Sequence, residues 1–241
     1  MIDLHTHILH GLDDGPSSME ESVEMALTAC RDGTRVMVAT PHNRDVVHRS
    51  SVLAARALAA RLNRELTARS VPLKALFGME NHLEMDTPEQ VDRGAALPIE
   101  GTRFILIELP FEIYPFHTED TLMKLLEMGL RPILAHPERN LPIQRNIDLL
   151  AGLVSREVLV QITAGSLAGY FGETVREVSS ELLRRGLAHV IASDGHAARG
   201  DRAPLLSPGV EAAAMLVGER AARRMAEDTP RAIVEDRAPV I

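Results

Sequence analysis

The sequence contains one cysteine and no tryptophan. A single cysteine excludes an internal disulfide framework and fits a reducing compartment, so a cytoplasmic setting is expected. Aromatic residues make up 3% of the chain, too few to build a base-stacking platform for single-stranded nucleic acid. Basic residues are outnumbered: 26 Lys and Arg against 34 Asp and Glu give a formal net charge of −8. That sign argues against nucleic acid as an electrostatic partner. No apolar run approaches the ~20 residues of a membrane-spanning helix, and no basic stretch followed by an apolar one marks a secretory signal. Neither nucleic acid nor membrane insertion is expected.

What remains is ordinary globular composition, 45% hydrophobic and 25% charged over 241 residues, which fits one large domain with a substantial core. Apolar runs that read as strands recur at Ile2–His5, Val36–Thr40, Ala75–Met79, Phe104–Glu108, Pro132–His136, Val158–Thr163 and His189–Ser193. They do not alternate with polar residues, as expected for parallel strands buried on both faces. Helical patterns separate them. Ser18 and Glu21 form a capping box, Val23, Ala26, Leu27 and Cys30 follow at helical spacing, and Gly33 ends the segment. Further helices are expected over Ser51–Arg69, Thr118–Met128, Ile147–Arg156, Ser166–Arg185 and Pro208–Glu227. Such alternation predicts an α/β fold, either a (β/α) barrel or a doubly wound sheet. No linker splits residues 1–241, and residues from about 207 to 241 read as helices packed on the barrel exterior.

The polar residues concentrate where these strands end. HTH delivers His5 and His7 and TPH delivers His42; Glu80 and Glu108 follow in GMENH and IELP, His136 in AHPER, and Asp194 and His196 in SDGH. Ligands bind at the carboxyl ends of strands in parallel α/β folds. One imidazole or Asp-Gly there is ordinary turn chemistry, but a whole rim of imidazoles and carboxylates requires cations to offset its self-repulsion. Mixed His and carboxylate donors suit zinc, manganese or iron better than calcium or magnesium. The rim offers more ligands than one catalytic metal uses. Multi-metal clusters clamp the attacking and leaving oxygens of a phosphoryl group.

The string HTH…DDGP…TPH…E…E…HPER…SDGH resembles the PHP (polymerase and histidinol phosphatase) superfamily. The phrases IDLHTHILHGLDDGP, ILAHPER, QITAGSLAGYFG and HVIASDGH resemble one branch closely: the bacterial manganese-dependent protein-tyrosine phosphatases of capsule and exopolysaccharide operons, of the CpsB/YwqE type. The resemblance implies a distorted (β/α)7, TIM-like barrel in a single domain with a trinuclear centre. By position, His5, His7, Glu80 and Asp194 match the ligands of a first metal. Glu80 would bridge to a second, completed by Glu108 and His136, and Asp14, His42 and His196 would hold a third. Manganese is the implied metal, with iron, zinc or magnesium as substitutes. Arg139 would face the cluster as a catalytic, phosphate-binding residue. The branch places a second arginine after SDxH, here Arg202 or Arg199, with Arg202 preferred because Ala-Pro follows it. The implied substrate is a phosphotyrosine protein, the tyrosine-rich tail of a bacterial tyrosine kinase.

Arginine suits such a role because its planar fork binds phosphate bidentately. A cysteine-based route is excluded by the letters: Val36, not arginine, lies six positions after Cys30. His82 and His117 lie on rim loops, and Tyr114 and Phe116 offer an apolar wall for a phenyl ring. Two other readings compete. One is a phosphatase for histidinol phosphate or another small ester, disfavoured within the superfamily by Glu108 and Asp14. The other is a non-catalytic metal-binding module, disfavoured by the full ligand set.

Overall fold

In a computed structural model, which describes residues 1–239, the apolar runs become β1 (Ile2–Thr6), β2 (Val36–Ala39), β3 (Lys74–Phe77), β4 (Glu80–His82), β5 (Phe104–Glu108), β6 (Arg131–Ala135), β7 (Leu159–Thr163) and β8 (Val190–Ala192). All neighbours pair in parallel, as β1-β2-β3 and β4-β5-β6-β7-β8. Backbone bonds join the two sheets into a barrel. At one seam the Asp194 N–H donates to the His5 carbonyl (3.0 Å) and the His7 N–H to that of Gly195 (2.8 Å). At the other, the Glu80 N–H donates to the Pro41 carbonyl at 3.2 Å.

The single strand expected over Ala75–Met79 is interrupted. Gly78 donates its N–H to Ala39 at 2.9 Å, and beyond Met79 the chain leaves β2 and pairs with β5 instead. β3 and β4 therefore act as successive halves of one stave, and the barrel has the sevenfold build expected. Two expected helices are also broken, both at glycine. Ala164–Ala168 and Glu173–Arg184 are separated by Gly169 and Gly172, at φ 87° and 93°. Ser207–Val217 and Glu219–Ala226 are separated by Gly218 at φ 87°. These left-handed conformations end helices at little steric cost only for glycine. At the first helix, Met19–Arg31, the Ser18 hydroxyl accepts the Glu21 N–H as expected, but the Glu21 carboxylate accepts from Ser17 rather than completing the box at Ser18.

Three apolar clusters share these strands. Ile2, Leu4, Phe104, Leu106, Ile133 and Val190 fill the barrel interior. Ile105, Ile107, Leu134, Val160 and Ile191 point outward under the later helices, and Met37, Ala39, Ala75 and Phe77 do so under the Met19–Arg31 and Val52–Ala68 helices. Inward positions change character with height. On β5 they run Phe104, Leu106, Glu108, from an apolar floor to a carboxylate at the rim.

The C-terminal segment corrects one expectation. The Asp228–Val234 helix does not only pack outside: Ile233, fully buried, joins the interior cluster with Ile2 and Phe104. Inward apolar side chains at the amino ends of the strands need a cover, and this helix supplies it. Residues 240 and 241, part of the expected C-terminal segment, lie outside the described residues.

His189, just before β8, is 5% exposed. Its Nδ1 accepts the Val160 N–H at 2.9 Å, so the ring is neutral with its proton on Nε2. Burial lowers its pKa to about 4. Between pH 6.5 and 4 the unfolded chain therefore takes up a proton that the folded chain refuses, and stability falls with pH by at most roughly 3 kcal/mol. A His189→Gln variant, which keeps an acceptor for Val160, should lose stability less steeply than wild type over this range in denaturant titrations. Parallel pH profiles would contradict this account.

Candidate metal centre

The carboxyl ends of the strands converge on one mouth of the barrel. The first focus involves His5 and His7. His5 Nδ1 lies 3.0 Å from Gln161 Oε1, and His7 Nδ1 lies 2.6 Å from Asp13 Oδ2. Each acceptor oxygen takes an Nδ1 proton, which fixes the tautomer and leaves a lone pair on Nε2. Those two lone pairs face one another at 3.2 Å. Glu80 Oε2 lies 3.3 Å from both nitrogens, and Asp194 Oδ1 lies 3.4 and 3.5 Å from them. Glu80 Oε2 is buried with no hydrogen-bond partner. Four electron-rich atoms converging in a dry pocket repel one another unless a cation sits among them, so the donor set fits a metal.

Two further foci adjoin it. The other Glu80 oxygen, Oε1, lies 2.8 Å from His136 Nε2, and Glu108 Oε1 lies 3.8 Å from the same nitrogen. Asp14 Oδ1 lies 3.2 Å from His196 Nε2 and 3.7 Å from His42 Nε2. Donor atoms of His7, Asp14, His42 and His196, and separately of Glu80, Glu108 and His136, fall within 4.8 Å of one another. All nine candidate ligands named from the sequence thus meet at one site. Asp14 alone is open to solvent, its side chain 63% exposed.

The charges follow from this packing. Burial opposes a proton on His5, but Glu80 and Asp194 outweigh it and hold the ring pKa up at about 9. Burial would also raise the Glu80 and Asp194 carboxyls, yet the surrounding imidazoles hold both well below the usual range. Glu108 is pushed up by burial and by the neighbouring Glu80 charge, while the His196 hydrogen bond holds Asp14 down. Without cations, protons on the imidazoles balance the carboxylates.

Local backbone features aim these side chains. β1 shifts register against β2 between Asp3 and Thr6. The buried Asp3 carboxylate accepts the N–H groups of His5 (3.3 Å) and Ser193 (3.0 Å), pinning β1 to β8 just below the cluster. Irregularities of this kind re-aim side chains beside active sites. Gly15 packs so tightly on the His7 carbonyl that a Cβ would stand 2.1 Å from its oxygen, so the Asp13–Asp14 loop can fold over the cluster only with glycine there. His136 and Asp194 sit at φ 30° and 52°, strained for residues with a Cβ and held by the surrounding structure. In HPER, buried Glu138 accepts the Thr163 N–H (2.8 Å) and the Ser166 hydroxyl (2.7 Å), tying this turn to the end of β7.

The arginines separate clearly. Arg139 Nη1 donates to Asp194 Oδ2 at 2.7 Å. Its guanidinium lies between the rings of Phe111 and Phe171, 4.6 and 4.8 Å from their centroids. Arg202 Nη2 lies 3.4 Å from the same Asp194 oxygen and rests against the His196 ring. Arg199 is further out, on the wall of a surface cavity shared with Asp14 and His196.

Phe111, rather than Tyr114 or Phe116, flanks the cluster, with its ring 5.6 Å from His136. Tyr114 packs against the outer core, and Phe116 is 88% exposed. His82 Nε2 lies 3.1 Å from Glu108 Oε2, and its pKa is lowered to about 4 by burial and by Arg44 and His42. Cys30 is half-buried on the first helix, and burial pushes its thiol up, away from a nucleophilic role. Sequence reasoning gave no role to Asp3, Gln161, Phe111 or Phe171, and singled out Asp13 only as the acidic neighbour of Asp14. A signal existed for Gln161, a lone amide inside the apolar run LVQIT.

Comparison with known proteins agrees with this geometry. A family model described as "Capsular polysaccharide synthesis, CpsB/CapC" matches residues 1–235. The tyrosine-protein phosphatase YwqE of Bacillus subtilis (strain 168) is 39% identical over 196 residues, 81% of this chain and 77% of that protein. The tyrosine-protein phosphatase CpsB of Streptococcus pneumoniae is 27% identical over 248 residues, covering 98% and 99%. A solved structure from work on YwqE and CpsB, described there as unique metal-dependent tyrosine phosphatases, superposes with a TM-score of 0.95 at 33% identity, covering 100% of this chain and 96% of that one. Histidinol phosphate phosphatase of Lactococcus lactis shares the fold, with a TM-score of 0.52 at 13% identity over 90% of this chain and 93% of its own. Matched along residues 1–235, the chain belongs to the CpsB/CapC family of capsular polysaccharide synthesis proteins.

Proposed function

We propose that this protein is a metal-dependent protein-tyrosine phosphatase, hydrolysing phosphotyrosine on a protein partner in capsule or exopolysaccharide regulation. The observation that carries the reading is the meeting of His5 Nε2 and His7 Nε2, lone pair to lone pair, beside Glu80 and Asp194. The two named phosphatase relatives support the substrate class. His5, His7, Glu80 and Asp194 are assigned to a first cation, Glu80, Glu108 and His136 to a second, and Asp14, His42 and His196 to a third. Manganese is the favoured ion. Bound by these residues, it would supply Lewis acidity toward a phosphoryl oxygen and lower the pKa of a water.

The chain's own groups complete the site. Arg139 and Arg202 both reach Asp194 Oδ2, and from there their guanidinium forks can engage the equatorial oxygens of a phosphoryl group. Phe111 and Phe171 hold the Arg139 plane and offer apolar surface to a phenyl ring. A phenol leaves with a pKa of ~10, which lessens the need for a general acid. The kinase tail is the proposed substrate and a cytoplasmic setting the proposed location; no helix among the described residues is long and apolar enough to cross a membrane. A single domain carries all of this, with the C-terminal helices as its cover.

Two outcomes test the reading. Metal-free protein reconstituted with manganese should hydrolyse a phosphotyrosine peptide in preference to histidinol phosphate. Arg139→Ala or Arg202→Ala should each lower kcat/KM by about 10²-fold, the usual cost of losing one charge-stabilising donor. A preference for histidinol phosphate, or unchanged activity in both variants, would contradict it. Asp13→Asn, which weakens the acceptor on His7 Nδ1, should raise the manganese dissociation constant by about 10–100-fold with the fold intact. Equal metal affinity by calorimetry would remove Asp13 from the account.

A further inference from the structure

The opposite end of the barrel carries a second concentration of polar groups. Two cavities, of about 390 and 270 Å³, share Arg224 and Thr229 in their walls. Arg220, Arg231 and Arg237 join Arg224 around the larger one, with Asp228 as its one acidic wall residue. Arg237 is paired with Glu235, but among the described residues Arg220, Arg224 and Arg231 have no ion-pair partner. Guanidinium groups around one cavity repel one another, and in a chain of net charge −8 such clustering is not a consequence of composition.

The smaller cavity has a different character. His189, 95% buried by its 5% exposure, lines it, and its Nε2 has no hydrogen-bond partner. Because Nδ1 accepts the Val160 N–H, Nε2 carries a proton and is an unused buried donor. The rest of that wall is largely apolar, with Leu183, Val217 and Met225. Arginine-rich space thus adjoins largely apolar space, whose wall also carries Arg184, Arg224 and Thr229. Together the volumes suit a small organic ligand.

We propose that this floor cavity is a second, non-catalytic binding site for an organic diphosphate or triphosphate. The phosphates would lie among Arg220, Arg224 and Arg231, and the organic group against the apolar wall of the smaller cavity. Planar guanidinium forks match phosphate oxygens, and their charge is complementary to a polyanion.

The test is calorimetric titration of the full-length, metal-loaded protein with ADP, pyrophosphate and inorganic phosphate. It is run on wild type, on Arg220→Gln/Arg224→Gln/Arg231→Gln, and on Arg139→Ala/Arg202→Ala. The floor variant should bind ADP at least tenfold more weakly while keeping wild-type phosphatase activity, which also reports that it folds. The mouth variant should retain the floor affinity for ADP. ADP should bind the floor at least tenfold more tightly than pyrophosphate. Unchanged ADP binding in the floor variant, or its loss in the mouth variant, would overturn the site. Equal affinity for ADP and pyrophosphate would overturn the two-part ligand.

Discussion

The structure depends on a repulsion. Two imidazoles whose outer nitrogens donate to Gln161 and Asp13 turn their inner nitrogens to one another at 3.2 Å, with two carboxylate oxygens within 3.5 Å, so their lone pairs repel unless protons or a cation lie between them. Nothing in a hydrophobic core calls for that arrangement, and a cation converts each unfavourable contact into a ligand bond. The other features of the mouth follow from holding these groups in place: the register shift in β1, the buried Asp3 clamp, the glycine under the Asp13–Asp14 loop, and the left-handed residues His136 and Asp194.

The barrel makes this possible by grading its interior. Phe104, Leu106 and Glu108 occupy successive inward positions on one strand, and Leu159, Gln161 and Thr163 on another. Apolar side chains close the floor, helped by Ile233 from the last helix, while polar ones gather at the rim. The packed floor anchors the strands whose upper ends carry the rim donors. Arg220, Arg224 and Arg231 lie outside this floor, on the C-terminal helices themselves.

Much of this was legible in the sequence. Strand ends were readable because buried parallel strands leave unbroken apolar runs, and donors stood at those ends: His42, Glu108 and His136 each follow such a run. Of the two arginines weighed in the sequence, Arg202 is the one in contact with Asp194. The rest depended on tertiary contact. The break at Gly78 reflects a change of pairing partner, which no local pattern encodes. Phe111 and Phe171 lie far apart in the chain and meet only around Arg139. Asp3 reads as a lone polar residue within the first strand, and its role exists only because Ser193 comes alongside. The closing of the floor by the Asp228–Val234 helix was likewise invisible to a reading that placed the C-terminal helices outside the barrel.

Anomalous diffraction from crystals loaded with manganese would test the central claim most directly. The account predicts a manganese peak within bonding distance of His5 Nε2, His7 Nε2, Glu80 and Asp194, with neighbouring peaks at the Glu108–His136 and Asp14–His42–His196 donors. A cluster without manganese, with His5 and His7 hydrogen-bonded to one another through a proton, would contradict it.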